Sequence, residues 1–276
     1  MTPIPVLTPA SVHGARELAA LFTAVYEGYW FPVELDGEAF KAMVRQGDID
    51  LAASRVALEG GTPAGIALLG IRGETGWIGG MGVVPALRRR GVGEGLMRAV
   101  LEAARTRGLG EVTLEVLEQN DAAIRLYERL GFERIRELEV WSAEAGGEPA
   151  SGVRAATLDK AHVWIAAHRS AAEPWQRADA GLPYTRTLDP PPEALAVGDE
   201  ETLRGAAIFR VNSGRAALIQ IAATDPEAAH DLLLGILGRA DTLVWLNAPV
   251  GDPVALALRA LGGTVSARQF EMALRL

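Results

Sequence analysis

The segment "VVPALRRRGVGEGL", residues 83–96, sets three arginines directly before three alternating glycines, where an apolar strand gives way to a helix. The first amides of a helix have no intrahelical partner and carry partial positive charge. A loop in which Gly91, Gly93 and Gly95 let the backbone come close to a ligand, with Arg88, Arg89 and Arg90 beside it, therefore has the make-up of a pyrophosphate cradle. It is not a dinucleotide fingerprint, because Leu96 stands where the third glycine belongs, and it is not a P-loop, because no Gly-Lys-Ser/Thr is present. An arginine-rich solvated turn with helix-capping glycines fits the same residues. Further along, "LEVLEQNDAAIRLYERLGF" carries Glu115, Asn120 and Tyr127 on a strand end, a helix start and a helix face.

Of the elements that would hold these groups, the first is a helix that starts at Thr8–Pro9, with Leu18, Leu21, Phe22 and Val25 on one face. "EGYWFPVELD" is an irregular loop before a second helix around Gly37–Gln46. Between residues 52 and 84, short apolar runs separated by "EGGTP" and "RGETG" predict an antiparallel meander of three strands. Leu96, Met97, Val100, Leu101 and Ala104 mark a helix, "EVTLEVL" a strand, the Tyr127 segment a helix and "ERIRELEVW" a strand. A small, polar stretch at 142–152 reads as a linker, so domains are expected at 1–148 and 149–276.

The second half repeats this order. Gly65 lies on Gly205 and Pro85 on Pro226, whereas matching Asp121 to Asp252 needs a spacing about ten residues shorter. The missing residues fall on the arginine–glycine loop, and Leu258 stands where the first copy has Tyr127. The second domain is therefore expected to be a degenerate copy that supports the first or shapes its acceptor site.

"RRRGVGEG" resembles the Q/R-x-x-G-x-G/A signature of the GNAT superfamily of acyl-CoA N-acyltransferases, matched by Arg90, Gly93 and Gly95, and the strand–helix order over roughly residues 4–141 looks like the same family. That resemblance implies an α+β (α/β three-layer) fold with two GNAT-like domains, each a mixed, mostly antiparallel twisted sheet flanked by helices. It implies acetyl-CoA as cosubstrate, its pantetheine and thioester on the main chain of Met81, Gly82 and Val83, and its pyrophosphate on the loop Arg89, Arg90, Gly91, Val92, Gly93, Glu94 and Gly95, with Arg88 adjoining. It further implies Asn120 and Tyr127 against the cofactor arm and sulfur, and Glu115 as a proton relay from the acceptor amine. The loop between the first two helices covers the acceptor in such folds, which points to Tyr29, Trp30, Glu34 and Asp36; Trp30 and Phe31 stapled to the core is the competing reading.

The chemistry suits these roles. An alkylamine of pKa ~10.4 is protonated at neutral pH, so a carboxylate or water relay must free its lone pair. Attack on a thioester builds negative charge on oxygen, which a backbone N–H at Gly82–Val83 could stabilise, with Gly79, Gly80 and Gly82 keeping that strand open to a ligand. A tyrosine beside the sulfur could protonate the leaving thiolate. Tyr127 also shares a helix face with Ala123 and Leu130, as a core tyrosine would, and Glu115 alternates with apolar neighbours, as a solvent-facing strand residue would. The expected activity is N-acetylation of a primary amine, small-molecule or peptide, by direct attack in a ternary complex; a non-catalytic acyl-CoA-binding module is the alternative.

Composition sets the frame. Hydrophobic residues are 49% of the chain and charged ones 22%, a folded and not a disordered balance. A formal charge of −8 repels nucleic acid and anionic lipid. Cysteine is absent, removing disulfides and thiolate chemistry, and the four histidines lack metal-site spacing. Neither a leader nor an apolar run of ~20 residues is seen, so a cytoplasmic protein without metal is expected, as an internal pseudo-dimer that is monomeric or as a homodimer.

Overall fold

In the computed structural model, which describes residues 6–146, 152–199 and 202–276, the apolar runs of the first half become β1 (Val6–Pro9), β2 (Arg55–Glu59), β3 (Thr62–Arg72), β4 (Thr75–Val83), β5 (Glu111–Leu117) and β6 (Glu133–Glu144). Its helices are α1 (Ala15–Val25), α2 (Gly37–Gln46), α3 (Val92–Thr106) and α4 (Asp121–Arg129). The second half contributes β7 (Val153–Ala155), α5 (Leu158–His168), α6 (Leu182–Thr185), β8 (Glu193–Gly198), β9 (Leu203–Asn212), β10 (Arg215–Ala223), α7 (Pro226–Leu237), β11 (Thr242–Pro249), α8 (Pro253–Ala260) and β12 (Thr264–Arg275).

Two compact units result. The first is the chain up to Ile135 together with Glu271–Leu276, and the second is Arg136–Phe270. This division differs from the expected boundary at 148/149 because the "ERIRELEVW" strand, β6, pairs with β11 of the second half, Trp141 opposite Trp245, while the last residues of β12 return to the first unit, where the Leu276 N–H donates to the Gly110 carbonyl at 3.0 Å. Of the expected linker, 142–144 lie in β6 and 147–151 fall outside the described residues.

In the first unit the strands run β1-β2-β3-β4-β5 and then the end of β12. The meander forms as its turn residues dictate, with β2, β3 and β4 antiparallel. The helix read from Thr8–Pro9 starts later, at Ala15: Val6–Pro9 pair antiparallel with β2, and Thr8 Oγ1 bonds His13 Nε2 at 2.9 Å instead of capping a helix. α2 begins where its sequence says, because Asp36 Oδ1 accepts from the Glu38 and Ala39 amides at 2.9 and 2.8 Å. α1 and α3 both pack on β3 and β4, burying Leu18, Phe22, Leu96, Met97 and Val100.

Two irregularities open β4 along one edge. Leu68 faces Gly80 while Leu69 faces Ile78, so Gly79 is an extra residue bulged out of β4. The parallel pairing of β4 with β5 covers Thr75–Trp77 against Glu111–Thr113, and the registered ladder stops there. From Gly79 to Val83 one edge of β4 thus leaves its neighbour.

The second unit runs from the start of β12 through β6-β11-β10-β9-β8-β7. It repeats both irregularities: β10 and β11 are parallel over Arg215–Leu218 with Thr242–Trp245, and the β9–β10 register slips between Leu218 and Gln220, leaving Ile219 as the extra residue. Trp141, Phe209, Leu232, Leu233, Trp245 and Leu258 build its core. Each unit is thus a mixed, mostly antiparallel sheet flanked by helices, in agreement with the expected fold class.

Candidate active site

The open edge of β4 meets the start of α3. Gly91 precedes α3 in the left-handed region at φ 81°, no side chain caps the helix, and the next left-handed residue upstream is Arg89 at φ 63°. Left-handed residues within a turn aim successive amides inward, which together with the unpaired first-turn N–H groups of Val92, Gly93 and Glu94 makes an anion-binding concavity. A Cβ at Gly91 or Gly95 would meet no atom within 4 Å, and one at Gly93 only ordinary contacts at 3.7 Å with Met81 Sδ, Leu126 and Val83. The left-handed backbone calls for glycine at Gly91, whereas at Gly93 and Gly95 protein packing does not require it and the close approach of a phosphate would.

The arginines divide. Arg88 is spent within the protein: its Nε donates to the Val83 carbonyl at 3.0 Å and its Nη2 to the carbonyls of Val25 and Glu27 at 3.0 and 2.8 Å. It pins the end of α1 to the end of β4. Arg90 has an exposed, loose pairing with Glu59 at 3.7 Å, worth little against a phosphate. Glu94 is engaged by Arg98 one turn on, at 2.8 Å.

The glycines of β4 differ from their expected role. A Cβ at Gly79 would stand 2.5 Å from Trp77 Cζ3, at Gly80 2.6 Å from Phe22 Cε2 and at Gly82 2.6 Å from Val25 Cγ2. They are small so that α1 and an indole can lie on the strand. Since alternate residues face opposite sides, Met81 and Val83 point the other way, toward Gly93.

Around this edge the aromatic residues converge. The hydroxyl of Tyr26, at the end of α1, accepts a hydrogen bond from the Met81 amide. Its ring stands edge-on to Tyr29 at 5.0 Å and 89°, and Tyr29 in turn edge-on to Trp30 at 5.0 Å. The Tyr29 hydroxyl bonds the Asn120 side chain, whose Oδ1 also accepts from the Ala123 amide at 3.3 Å as the N-cap of α4. Tyr127, on one face of α4, is buried against Phe132 with ring centroids 5.9 Å apart. Burial pushes its hydroxyl well above the usual 10, and the neighbouring Tyr26 and Tyr29 push it further.

Glu115, half-buried on β5, accepts from the Trp77 indole N–H through Oε2 at 2.8 Å. Trp30 is 50% exposed and Phe31 41%, so neither staples its loop to the core. Glu34 is exposed on the same loop, and Asp36 is occupied by its capping bonds. Of the expected residues, the structure places Tyr29 beside Trp30 and Asn120, Met81 and Val83 beside Gly93 and Tyr127 against Phe132, and leaves Asp36 and Arg88 in structural roles. Tyr26 and Trp77 join the site without belonging to any of the sequence motifs. The signal for Tyr26 is its i, i+4 spacing from Phe22 next to a loop with three more aromatics.

The same place in the second unit is filled. Arg177, 4% exposed, donates to the Ile219 carbonyl on β10 at 3.3 Å and the Asn247 carbonyl on β11 at 2.9 Å. It pairs with Glu173 at 3.0 Å and lies 5.5 Å over the Trp245 ring. Gln220, at the position of Gly80, is fully buried and donates to Asp179 Oδ1 and the Arg177 carbonyl. The start of α7 is capped by Asp225, whose Oδ1 accepts from the Ala228 amide at 3.0 Å, so a carboxylate stands where α3 offers bare amides.

Residues 16–132 match the Acetyltransferase (GNAT) family model. Over 54 residues the chain is 54% identical to a mycothiol acetyltransferase of Streptosporangium roseum, a stretch that is 20% of this chain and 16% of that one. Over 83 residues, 29% of this chain and 51% of the other, it is 41% identical to the N-alpha-acetyltransferase RimI of Mycobacterium tuberculosis. The matches thus span from about a sixth to about half of these relatives' lengths. A tandem GNAT protein from the clavulanic acid biosynthesis pathway superposes with a TM-score of 0.68 at 16% identity, covering 99% of this chain and 97% of its own.

Proposed function

We propose, on the premise that residues 16–132 form a domain of the GNAT acetyltransferase family, that the chain transfers an acetyl group from acetyl-CoA to a primary amine by direct attack in a ternary complex. The observation that carries the reading is the open edge of β4 from Gly79 to Val83 running into the uncapped, glycine-lined start of α3. An extended pantetheine arm fits the first and a pyrophosphate the second. Acetyl-CoA supplies the activated acyl group.

The protein's own part divides among few groups. Amides of Val92, Gly93 and Glu94, with Arg89 and Arg90, hold the pyrophosphate. The main chain of Met81–Val83 orients the thioester, and a backbone N–H at Gly82–Val83 stabilises the oxyanion. Glu115, oriented by Trp77, accepts the amine's first proton through water or directly. Tyr127 stays a phenol across the physiological range, since burial raises its pKa. A phenol so much less acidic than a thiol of pKa ~8.5 serves as a hydrogen-bond donor to the sulfur as charge develops, more than as a full proton donor. The aromatic loop Tyr29–Phe31 and Glu34 receive the amine. The second unit holds no acyl-CoA, because Arg177 and Gln220 fill its split and Asp225 covers its helix start. Two relatives are named a mycothiol acetyltransferase and an N-alpha-acetyltransferase, which supports both a small-molecule amine and a peptide α-amine as acceptor classes. The reaction is assigned to the cytoplasm. Among the described residues no helix is long and apolar enough to cross a membrane.

Thiol release from acetyl-CoA in the presence of a panel of primary amines, small-molecule and peptide, tests the reading. Acceptor-dependent release is expected. Titration of acetyl-CoA with no detectable binding would remove both the catalytic reading and the acyl-CoA site.

A further inference from the structure

The geometry points to Tyr26 as the residue that sets acyl-chain length, confining the site to acetyl and excluding longer acyl groups. This rests on the acyl-transfer reading, in which the thioester lies along Met81–Val83. At Gly80 and Gly82 the β4 main chain lies against the side chains of α1, and Tyr26 stands beside it at the end of that helix. The site of a Cβ on Gly80 is 3.6 Å from the Tyr26 hydroxyl and 2.7 Å from Phe22 Cζ. The hydroxyl is tied to the Met81 main chain, the first of the groups that would orient the thioester.

The ring is held from several sides. Phe22, one turn earlier on α1, packs on it with centroids 4.9 Å apart, and Phe22 is itself backed by Phe40 at 6.4 Å. Tyr29 stands edge-on at 5.0 Å and is in turn tied to Asn120. A side chain held this way cannot swing aside without breaking aromatic contacts on both flanks. An acyl tail extending from the thioester past Met81 must therefore meet the Tyr26 ring. Buried packing of this kind resists added methylenes, and a shaped apolar wall discriminates by about 10–200-fold per methylene.

Acetyl-, propionyl- and butyryl-CoA separate the possibilities, with kcat/KM measured on one amine and dissociation constants measured by titration without acceptor. The wild-type chain should favour acetyl over butyryl by about tenfold or more in both. Tyr26→Ala should shift the butyryl-to-acetyl ratio at least tenfold toward butyryl. Tyr26→Phe, which keeps the ring and loses the bond to Met81, should leave the ratio within about threefold of wild type while lowering turnover. Tyr26→Leu serves as a second ring-removing variant should the alanine variant not fold, with the same shift expected. An unchanged ratio in both ring-removing variants, or an equal shift in Tyr26→Phe, would overturn the assignment while leaving acetyl transfer intact. Loss of acetyl-CoA binding by the wild-type chain would instead sink the acyl-transfer reading on which it stands.

Discussion

Asn120 bonds Tyr29 with one end of its amide and caps α4 with the other, so the aromatic loop assigned to the acceptor hangs from the helix that carries Tyr127. Separating the two duties predicts two phenotypes. Asn120→Ser keeps a capping oxygen and should leave thermal stability near wild type while raising the acceptor KM several-fold. Asn120→Ala removes the cap as well and should also lose about 1 kcal/mol of stability, read by denaturant unfolding.

Tyr127→Phe should lower kcat by about 100-fold, the low end of what acid–base groups contribute, with the dissociation constant for acetyl-CoA little changed. Because burial raises this phenol's pKa, ionisation of Tyr127 should impose no fall on the rate below pH 10. In the wild-type chain kcat/KM should climb with pH as the acceptor amine deprotonates. A downward limb near pH 8 that Tyr127→Phe removes would contradict this.

Cofactor stoichiometry is expected at one acetyl-CoA per chain, measured by titration, and two sites of similar affinity would show that the second unit is not closed. The closure also has a stability consequence. Arg177→Met leaves the Glu173 carboxylate buried beside an apolar chain, which should cost about 3–5 kcal/mol. The double variant Glu173→Gln with Arg177→Met should recover part of that loss.

Acid should loosen the second unit first. Arg169, bonding both oxygens of Asp179, and Arg204, bonding Asp225, hold these carboxyls down to about 2. Since both are depressed from ordinary values, their stabilisation is complete above the unfolded carboxylate's ~3.9 and disappears as pH falls through about 2. Melting temperature between pH 5 and 2 should drop, and Asp179→Asn should flatten part of that drop.

Local signals are the legible ones. α2 can be placed because its cap, Asp36, is adjacent to it, and the α3 cradle because its glycines are close together in the chain. β1 escapes such reading because Thr-Pro is a good helix start in isolation, and only its pairing with β2 says otherwise. The reason for Gly79, Gly80 and Gly82 lies in Trp77 and α1, and the purpose of Arg177 lies in carbonyls on two strands 42 and 70 residues away. Such partners cannot be found along the sequence. Tyr127 is singled out by its motif, but its company of Tyr26 and Tyr29 is likewise a product of folding.

The placement of Glu271–Leu276 in the first unit also bears on how the protein is made. The ribosome delivers everything else in that unit by Ile135, then must add the rest of the chain before the closing strand emerges, a delay on the order of ten seconds. During that interval the outer rim of β5 is an unfilled template for any passing strand. A nascent chain in that condition depends on chaperones, or on the second unit folding promptly, and deleting the codons for Glu271–Leu276 would make the condition permanent.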